Sequence, residues 1–304
     1  MVPSQHPVQQ SYSQGILLVL IATVGWSLSG LFVRFMPELN GWQINGWRGL
    51  WTGMGLLCYL VIAYGENTLA VFKRIPFLAL LTSAGFFALG STMYVTSLTL
   101  VSTAVVSVIG ATAPLFTGLL SPWVTGEKPS AAAWFAAVLA LFGVSIIAWD
   151  GVASGNLIGL LVCLMVPISF AVQTLVLRRY RDIDMVPAIC LGGFLAFVVC
   201  GAIGTFLGIG LAQGVPLSSV GLLLVMGVVQ LAIPLIFYAR GAKSVPAITL
   251  SLIVMLDAVL NPLWPWLVVG ETPERSSFVG GAVIIVAVLM SIFGSTLLKR
   301  SSKT

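Results

Sequence analysis

Charge is what this chain has least of. Only 8% of its 304 residues are Asp, Glu, Lys or Arg, while 59% are hydrophobic; a water-soluble domain carries about 25% charged residues. Such a chain cannot cover a soluble surface, so its solvent is lipid. The single histidine, His6, lies in a polar N-terminal stretch. That excludes a buried Ser–His pair and a His-based metal centre. No GxxxxGK[ST] phosphate loop occurs, so the chain alone hydrolyses no nucleotide. The apolar runs hold one carboxylate, Asp257, where a membrane aspartic protease needs two. Cys58, Cys163, Cys190 and Cys200 all fall inside apolar runs and read as small packing residues, not as a disulfide framework. The net charge of +5 comes from loop lysines and arginines, and no basic stripe with interleaved aromatics marks a nucleic-acid footprint. No catalytic residue, metal, cofactor or nucleic-acid partner is expected.

Long apolar runs are what the chain does have. About 20 apolar residues span the hydrocarbon as a helix. Ten such runs are present, at 14–34, 43–64, 77–98, 103–124, 131–149, 156–177, 186–208, 217–239, 246–269 and 278–298. Backbone polar groups in lipid must pair within the segment, so the runs are helices and the fold is an all-α membrane protein. Residues 1–13 lack a charged n-region and a small-residue cleavage site, and read as a loose tail rather than a signal peptide. Residues 299–304 form a second tail.

The chain also repeats itself. Residues 94–130 read YVTSLTLVSTAVVSVIGATAPLFTGLLSPWVTGEKPS, and a relative begins at Tyr238: YARGAKSVPAITLSLIVMLDAVLNPLWPWLVVGETPE. A shift of 144 residues (238 − 94) superposes Tyr94 on Tyr238, Gly126-Glu127 on Gly270-Glu271 and Pro129 on Pro273 without a gap. The same shift brings Gly15 onto Gly159, Arg34 onto Arg178 and Gly49 onto Gly193. Two halves follow, at 14–150 and 151–298, with five spans each.

Lysine and arginine choose a side. With the N-terminus cytoplasmic, the inner segments hold Lys73, Arg74, Lys128, Arg178, Arg179, Arg181, Arg240, Lys243, Lys299, Arg300 and Lys303. Only Arg34, Arg48 and Arg275 remain outside. Both termini are therefore expected in the cytoplasm. Five spans is an odd number, so the second half enters the membrane upside down. Inverted-topology repeats are common in secondary transporters, with the site near the midplane between the halves.

Polar and aromatic residues inside the spans are the candidates for that site. Trp26 and Ser27 form a cavity wall or pack beside Gly25 and Gly30. Tyr94 closes a hydroxyl-rich end of the third span, and Ser107 follows in the fourth. The shift brings Trp26 onto Phe170 and Ser29 onto Gln173, an aromatic with a polar neighbour at equal depth in each half. Gln230 and Tyr238 lie in the eighth span. Asp257 and Asn261, four apart on one face of the ninth, contact a substrate ammonium, hold a proton, or pack together. Gly110, Pro114, Pro122, Pro234 and Pro262 are candidate hinges or gates, since proline in a span frees a carbonyl and bends the helix. Glu127 and Glu271 read as punctuation beside the dipole of the following helix. Arg48 snorkels outward, pairs with Glu38, or holds a substrate carboxylate. Trp42 and Trp47 read as interfacial belt anchors rather than ligand contacts, and Gly49-xxx-Gly53 as a close-packing motif.

Two five-helix repeats, each closing on a proline-bearing fourth helix and Gly-Glu, resemble the drug/metabolite transporter superfamily in its ten-helix, EamA-type form. The resemblance covers residues 14–298. Within that group the chain is similar to bacterial aromatic amino-acid exporters, whose relatives also export the dication paraquat. The resemblance implies an inner-membrane exporter of amino acids working by alternating access, with a central cavity lined by aromatic and polar side chains. Its partners would be an amphipathic small molecule and the lipid bilayer. Other small metabolites or cationic drugs are the alternative cargo, and a channel is a further rival. A phosphate-bearing substrate would require buried Arg or Lys, which the membrane interior lacks apart from the end-placed Arg48 and Arg240.

Overall fold

The computed structural model describes residues 11–101, 103–147, 157–270 and 275–301. It contains fifteen α-helices: α1 Tyr12–Ser27, α2 Ser29–Arg34, α3 Gly41–Tyr64, α4 Thr68–Arg74, α5 Phe77–Leu100, α6 Thr103–Gly110, α7 Ala113–Val124, α8 Ala131–Ile147, α9 Leu157–Arg179, α10 Val186–Phe206, α11 Leu217–Val225, α12 Ile233–Gly241, α13 Ala247–Val254, α14 Asp257–Val269 and α15 Arg275–Ser301. Among the described residues nine helical stretches are long and apolar enough to cross a membrane, and α8 adds a shorter apolar helix. The protein is an all-α, multi-span membrane protein. Most of the N-terminal tail (1–10), the junction of the halves near residue 150, Glu271 and residues 302–304 lie outside the described residues.

The outside of the bundle is apolar: Phe206, Leu217 and Ile62 are 90%, 89% and 80% exposed. Since lipid tails are as apolar as the side chains, the helices are held by close packing of small residues. In α8, Ala133, Ala136, Ala137, Ala140 and Gly143 are buried, and a Cβ on Gly143 would lie 2.8 Å from the Gly280 carbonyl of α15. The same device joins α3 to α10. A Cβ on Gly49 would lie 2.8 Å from the Gly193 oxygen, and one on Gly193 would lie 2.9 Å from the Gly49 oxygen. These two glycines are the pair that the 144-residue shift superposes, so at this point each half meets its own counterpart.

Helix starts follow their caps. Ser11 accepts from Gln14 N–H and Asn40 from Gln43 N–H, each in a reciprocal capping box. Gly126 and Gly270, the glycines of the two Gly-Glu motifs, take φ of +74° and +78°, a left-handed conformation that glycine adopts without a Cβ penalty. Helix α4, between the second and third spans, is a short element that span counting does not reveal.

Among the described residues four spans are interrupted. The first turns at Leu28, between α1 and α2. The eighth contains a π-helical segment, Met226–Ala232, directly before Pro234, where the missing proline N–H interrupts the ladder. The fourth breaks between Gly110 and Ala113, and the ninth between Val254 and Asp257. Those last breaks coincide under the 144-residue shift: α6 and α13 start and end at matching positions, and α7 and α14 start at matching positions. Through both breaks the chain tightens into i→i−3 bonds, Thr112 N–H to Ile109 O (3.0 Å) and Ala258 N–H to Met255 O (3.1 Å).

One expected pairing is corrected. Glu38 accepts from Ser219 Oγ rather than from Arg48, and that hydrogen bond holds its carboxyl below the usual carboxylate range. Trp42 is 8% exposed and packs beside Val95 and Cys200. Trp47 donates to the Leu211 carbonyl at 2.9 Å and stacks on Trp51. Both tryptophans thus contribute to packing at this end of α3.

Overpacking a tight contact costs about 1–3 kcal/mol. Gly49→Leu is therefore expected to lower the melting temperature of the detergent-solubilised protein and broaden its size-exclusion peak. A Cβ on Gly85 meets nothing within 4 Å, so Gly85→Ala serves as the silent control. Equal melting of the two variants would contradict the Gly49–Gly193 approach.

Candidate functional site

The coincident breaks face each other across a cavity of about 280 Å³. Its wall takes Ser107, Gly110, Ala111 and Ala113 from the first break, and Ser251, Val254, Met255 and Asp257 from the second. These are four pairs under the same shift. Tyr94 of α5 and Phe170 of α9 supply aromatic faces, and Asn261 completes the polar side. Pro114 follows the first break at the start of α7, where its absent N–H is harmless to α7 but leaves the Gly110 carbonyl without an i+4 donor.

Among the described residues Asp257 is the one charged residue in this wall. It stands in the first turn of α14, where the positive end of the helix dipole favours a carboxylate. Asn261, one turn on, donates from Nδ2 to Asp257 Oδ2 at 3.1 Å. The other oxygen, Oδ1, is buried without a hydrogen-bond partner. A bare carboxylate oxygen inside a bilayer costs several kcal/mol unless a cation, a proton or water reaches it. The site therefore has a built-in demand for a donor.

A second layer stands behind the cavity. Tyr238, 2% exposed, shares a hydrogen bond with Thr174 Oγ1 at 2.7 Å. Its ring lies 6.0 Å from Phe170 on one side and 5.1 Å from Trp26 on the other. Gln230, in the π-helical segment, donates to the Trp26 carbonyl at 3.0 Å. Ser27 donates to Val24 O at 2.7 Å and accepts from Trp264 Nε1 at 2.7 Å. Gln173 donates to Ser83 Oγ at 3.0 Å. Arg48 donates to Asn45 Oδ1 at 2.9 Å and Ser91 Oγ at 3.4 Å, and its Nε is buried without a partner.

Comparison with known proteins places this architecture. The EamA-like transporter family matches the chain twice, over residues 13–149 and 157–293. The chain belongs to the EamA-like transporter family. It is a small-molecule secondary transporter of that superfamily and a multi-pass protein of the bacterial inner membrane; members of the family are transporters, not enzymes. It is 28% identical to the uncharacterized transporter YdfC of Bacillus subtilis, over 91% of this chain and 89% of that one. It is 23% identical to an S-adenosylmethionine uptake transporter of Rickettsia prowazekii, over 93% and 94%. A biotin transporter of Escherichia coli is 29% identical over 56% of this chain and 58% of its own length. A crystal structure shares the fold with a TM-score of 0.81 at 18% identity, covering 96% of this chain and 99% of that one.

In this EamA-like transporter Tyr94, Ser107, Gly110, Phe170, Asp257 and Asn261 come together at the cavity. Trp26, Ser27, Gln173, Gln230 and Tyr238 do not line it; they form the layer behind. Pro122 lies inside α7 and Pro262 inside α14. Ser251, Val254 and Met255 were not among the sequence candidates, although shifting Ser107, Gly110 and Ala111 by 144 residues points directly to them.

A Cβ on Gly110 meets nothing within 4 Å, so a side chain there projects into open space. In a background without the four native cysteines, Gly110→Cys is expected to react with a water-soluble thiol reagent at least about tenfold faster than Ile285→Cys, since reaction requires a hydrated thiolate. Ile285 is 43% exposed on α15. Equal rates would show that the cavity holds no water.

Proposed function

We propose that this transporter moves small amphipathic molecules carrying a positively charged amino group, amino acids among them, outward across the membrane by alternating access. The observation that carries this reading is the cavity between the paired breaks, whose sole charged lining residue among those described is a carboxylate with one oxygen unpartnered. An ammonium group supplies the missing donors. Tyr94 and Phe170 offer ring faces to an apolar body or a cation. Ser107 and Asn261 add hydrogen bonding without fixed charge. Gly110 and the turns beside it are the hinges in this reading, with Pro114, Pro122, Pro234 and Pro262 shaping the helices that swing.

Amino acids carry a carboxylate as well, and Arg48 fits it. Its guanidinium has amide and hydroxyl partners but no carboxylate. Its partner Ser91 lies three residues from Tyr94 on α5, hence on the same helix face as a cavity wall residue. Alternating access follows from two five-span halves inserted in opposite senses. In support of this stand the 144-residue repeat, its odd span number and the matched breaks. The excess of lysine and arginine on the face where α1 starts favours cytoplasmic termini.

A second reading is transport of cations without a carboxylate, paraquat-like drugs included. The absence of a basic residue among the described residues of the cavity wall favours it. Relatives named for S-adenosylmethionine and biotin support a range wider than amino acids.

Reconstituted protein should be challenged with a labelled aromatic amino acid, its decarboxylated amine and its deaminated acid. The two amines are expected to compete with each other and the acid to fail. Asp257→Asn should weaken uptake of both amines at least about tenfold, equivalent to ~1.4 kcal/mol. Arg48→Gln should weaken only the amino acid. Competition by the deaminated acid, or unchanged uptake in Asp257→Asn, would refute the assignment.

A further inference from the structure

One polar cluster has no part in the cavity. Arg178, in the last turn of α9 and 8% exposed, donates from Nε to Glu127 Oε1 at 2.6 Å. Its Nη1 donates to the carbonyls of Ala242 at 3.0 Å and Lys243 at 2.7 Å, just beyond α12. The second oxygen of Glu127 accepts the N–H of Ala247, the first residue of α13, at 3.2 Å. Arg179 donates to the carbonyl of Val124, the last residue of α7. Two adjacent arginines and one glutamate thus gather the ends of α7, α9, α12 and α13. Glu127 belongs to the first half; its partners belong to the second.

Three of these helices also bound the cavity. Helix α7 begins at the first break, α13 ends at the second, and α9 contributes Phe170. Between cavity and cluster, α7 and α13 stay in contact: Thr117 and Ser251 share a buried hydrogen bond of 2.8 Å, and a Cβ on Gly118 would lie 2.9 Å from Ile248. Helices α7 and α13 thus touch between the cavity and the basic end of the bundle, the end that carries Lys128, Arg178 and Lys243.

We propose that Arg178 and Glu127 are positioning residues of the transport cycle: their ion pair latches the ends of α7, α9 and α13 and keeps the cavity shut toward the basic face. The proposal rests on the alternating-access reading given above. A conformational equilibrium shifts only by contacts that differ between its states, and this pair exists only while the helix ends are together. Its desolvation cost offsets much of its attraction, so the latch is weak as a whole yet sensitive to removal of either partner, which strands a buried charge. Arginine suits the place because its planar fork reaches a carboxylate and two carbonyls at once. Glu127, which the sequence marks as punctuation before α8, has its hydrogen-bonded N–H at the start of α13 instead.

The test uses vesicles of known protein orientation, the Gly110→Cys reporter without native cysteines, and a membrane-impermeant thiol reagent applied to either face. The readout is the ratio of labelling from the basic face to labelling from the opposite face. Glu127→Gln and Arg178→Gln are each expected to raise that ratio about tenfold, the scale of a modest population shift. The double variant should go no further, because both changes break one contact. Arg178→Lys keeps the charge but loses the fork, so it should raise the ratio part-way; it also serves if Arg178→Gln does not fold. An unchanged ratio, or faster labelling from both faces alike, would overturn the latch. A parent reporter unlabelled from either face would overturn the cavity reading itself, and the latch with it.

Discussion

In hydrocarbon a backbone N–H or carbonyl has no partner except the helix it belongs to. A break in a membrane helix is therefore tolerable only inside the protein, where other groups or water can take over. This chain breaks its fourth and ninth spans at matching positions, and both breaks turn inward onto one cavity. The remaining spans shield those breaks from lipid. Close glycine contacts, Gly49 on Gly193 and Gly143 on Gly280, hold neighbouring helices of the bundle together.

Electrostatics then decides what the shielded space is for. Asp257 sits where a helix begins, so the dipole of α14 supports its charge. Asn261 satisfies one oxygen and leaves the other open. The wall around it is largely aliphatic, with aromatic, hydroxyl and amide groups from Tyr94, Phe170, Ser107, Ser251 and Asn261. Such a lining offers orientation without a second fixed charge, which suits a carrier that must release what it binds. The ion pair at the basic face works on the other half of the problem, the choice of which side the cavity meets. Site and latch share α7, α9 and α13, so motion of those helices couples them.

The spans were legible in the sequence because their signal is collective: twenty apolar residues outvote any single exception, and the helices fall within a few residues of the runs. The broken fourth helix was half legible. Pro114 and Gly110 pointed to it, yet the ninth span breaks with Ala258 in the matching place, so proline is not the whole cause. The rotation of a helix was not legible. Trp26 and Phe170 occupy matching positions under the shift, but Phe170 faces the cavity and Trp26 lies tilted against Tyr238 behind it. Depth follows from counting residues; facing is set by how neighbouring helices pack. The partner of Glu127 was hidden for a similar reason, since Arg178 lies 51 residues away and meets it only through the packing of α7 on α9. The repeat held more information than single residues did: carried across it, Ser107 alone marks Ser251.

The central claim is that one solute at a time is handed across through the cavity between the two breaks. Counterflow in vesicles tests it most directly. Vesicles preloaded with unlabelled aromatic amino acid should take up the labelled compound faster than empty vesicles, and the rate should saturate with external concentration. Uptake that is indifferent to internal substrate and rises linearly with concentration would describe an open pore and contradict the account.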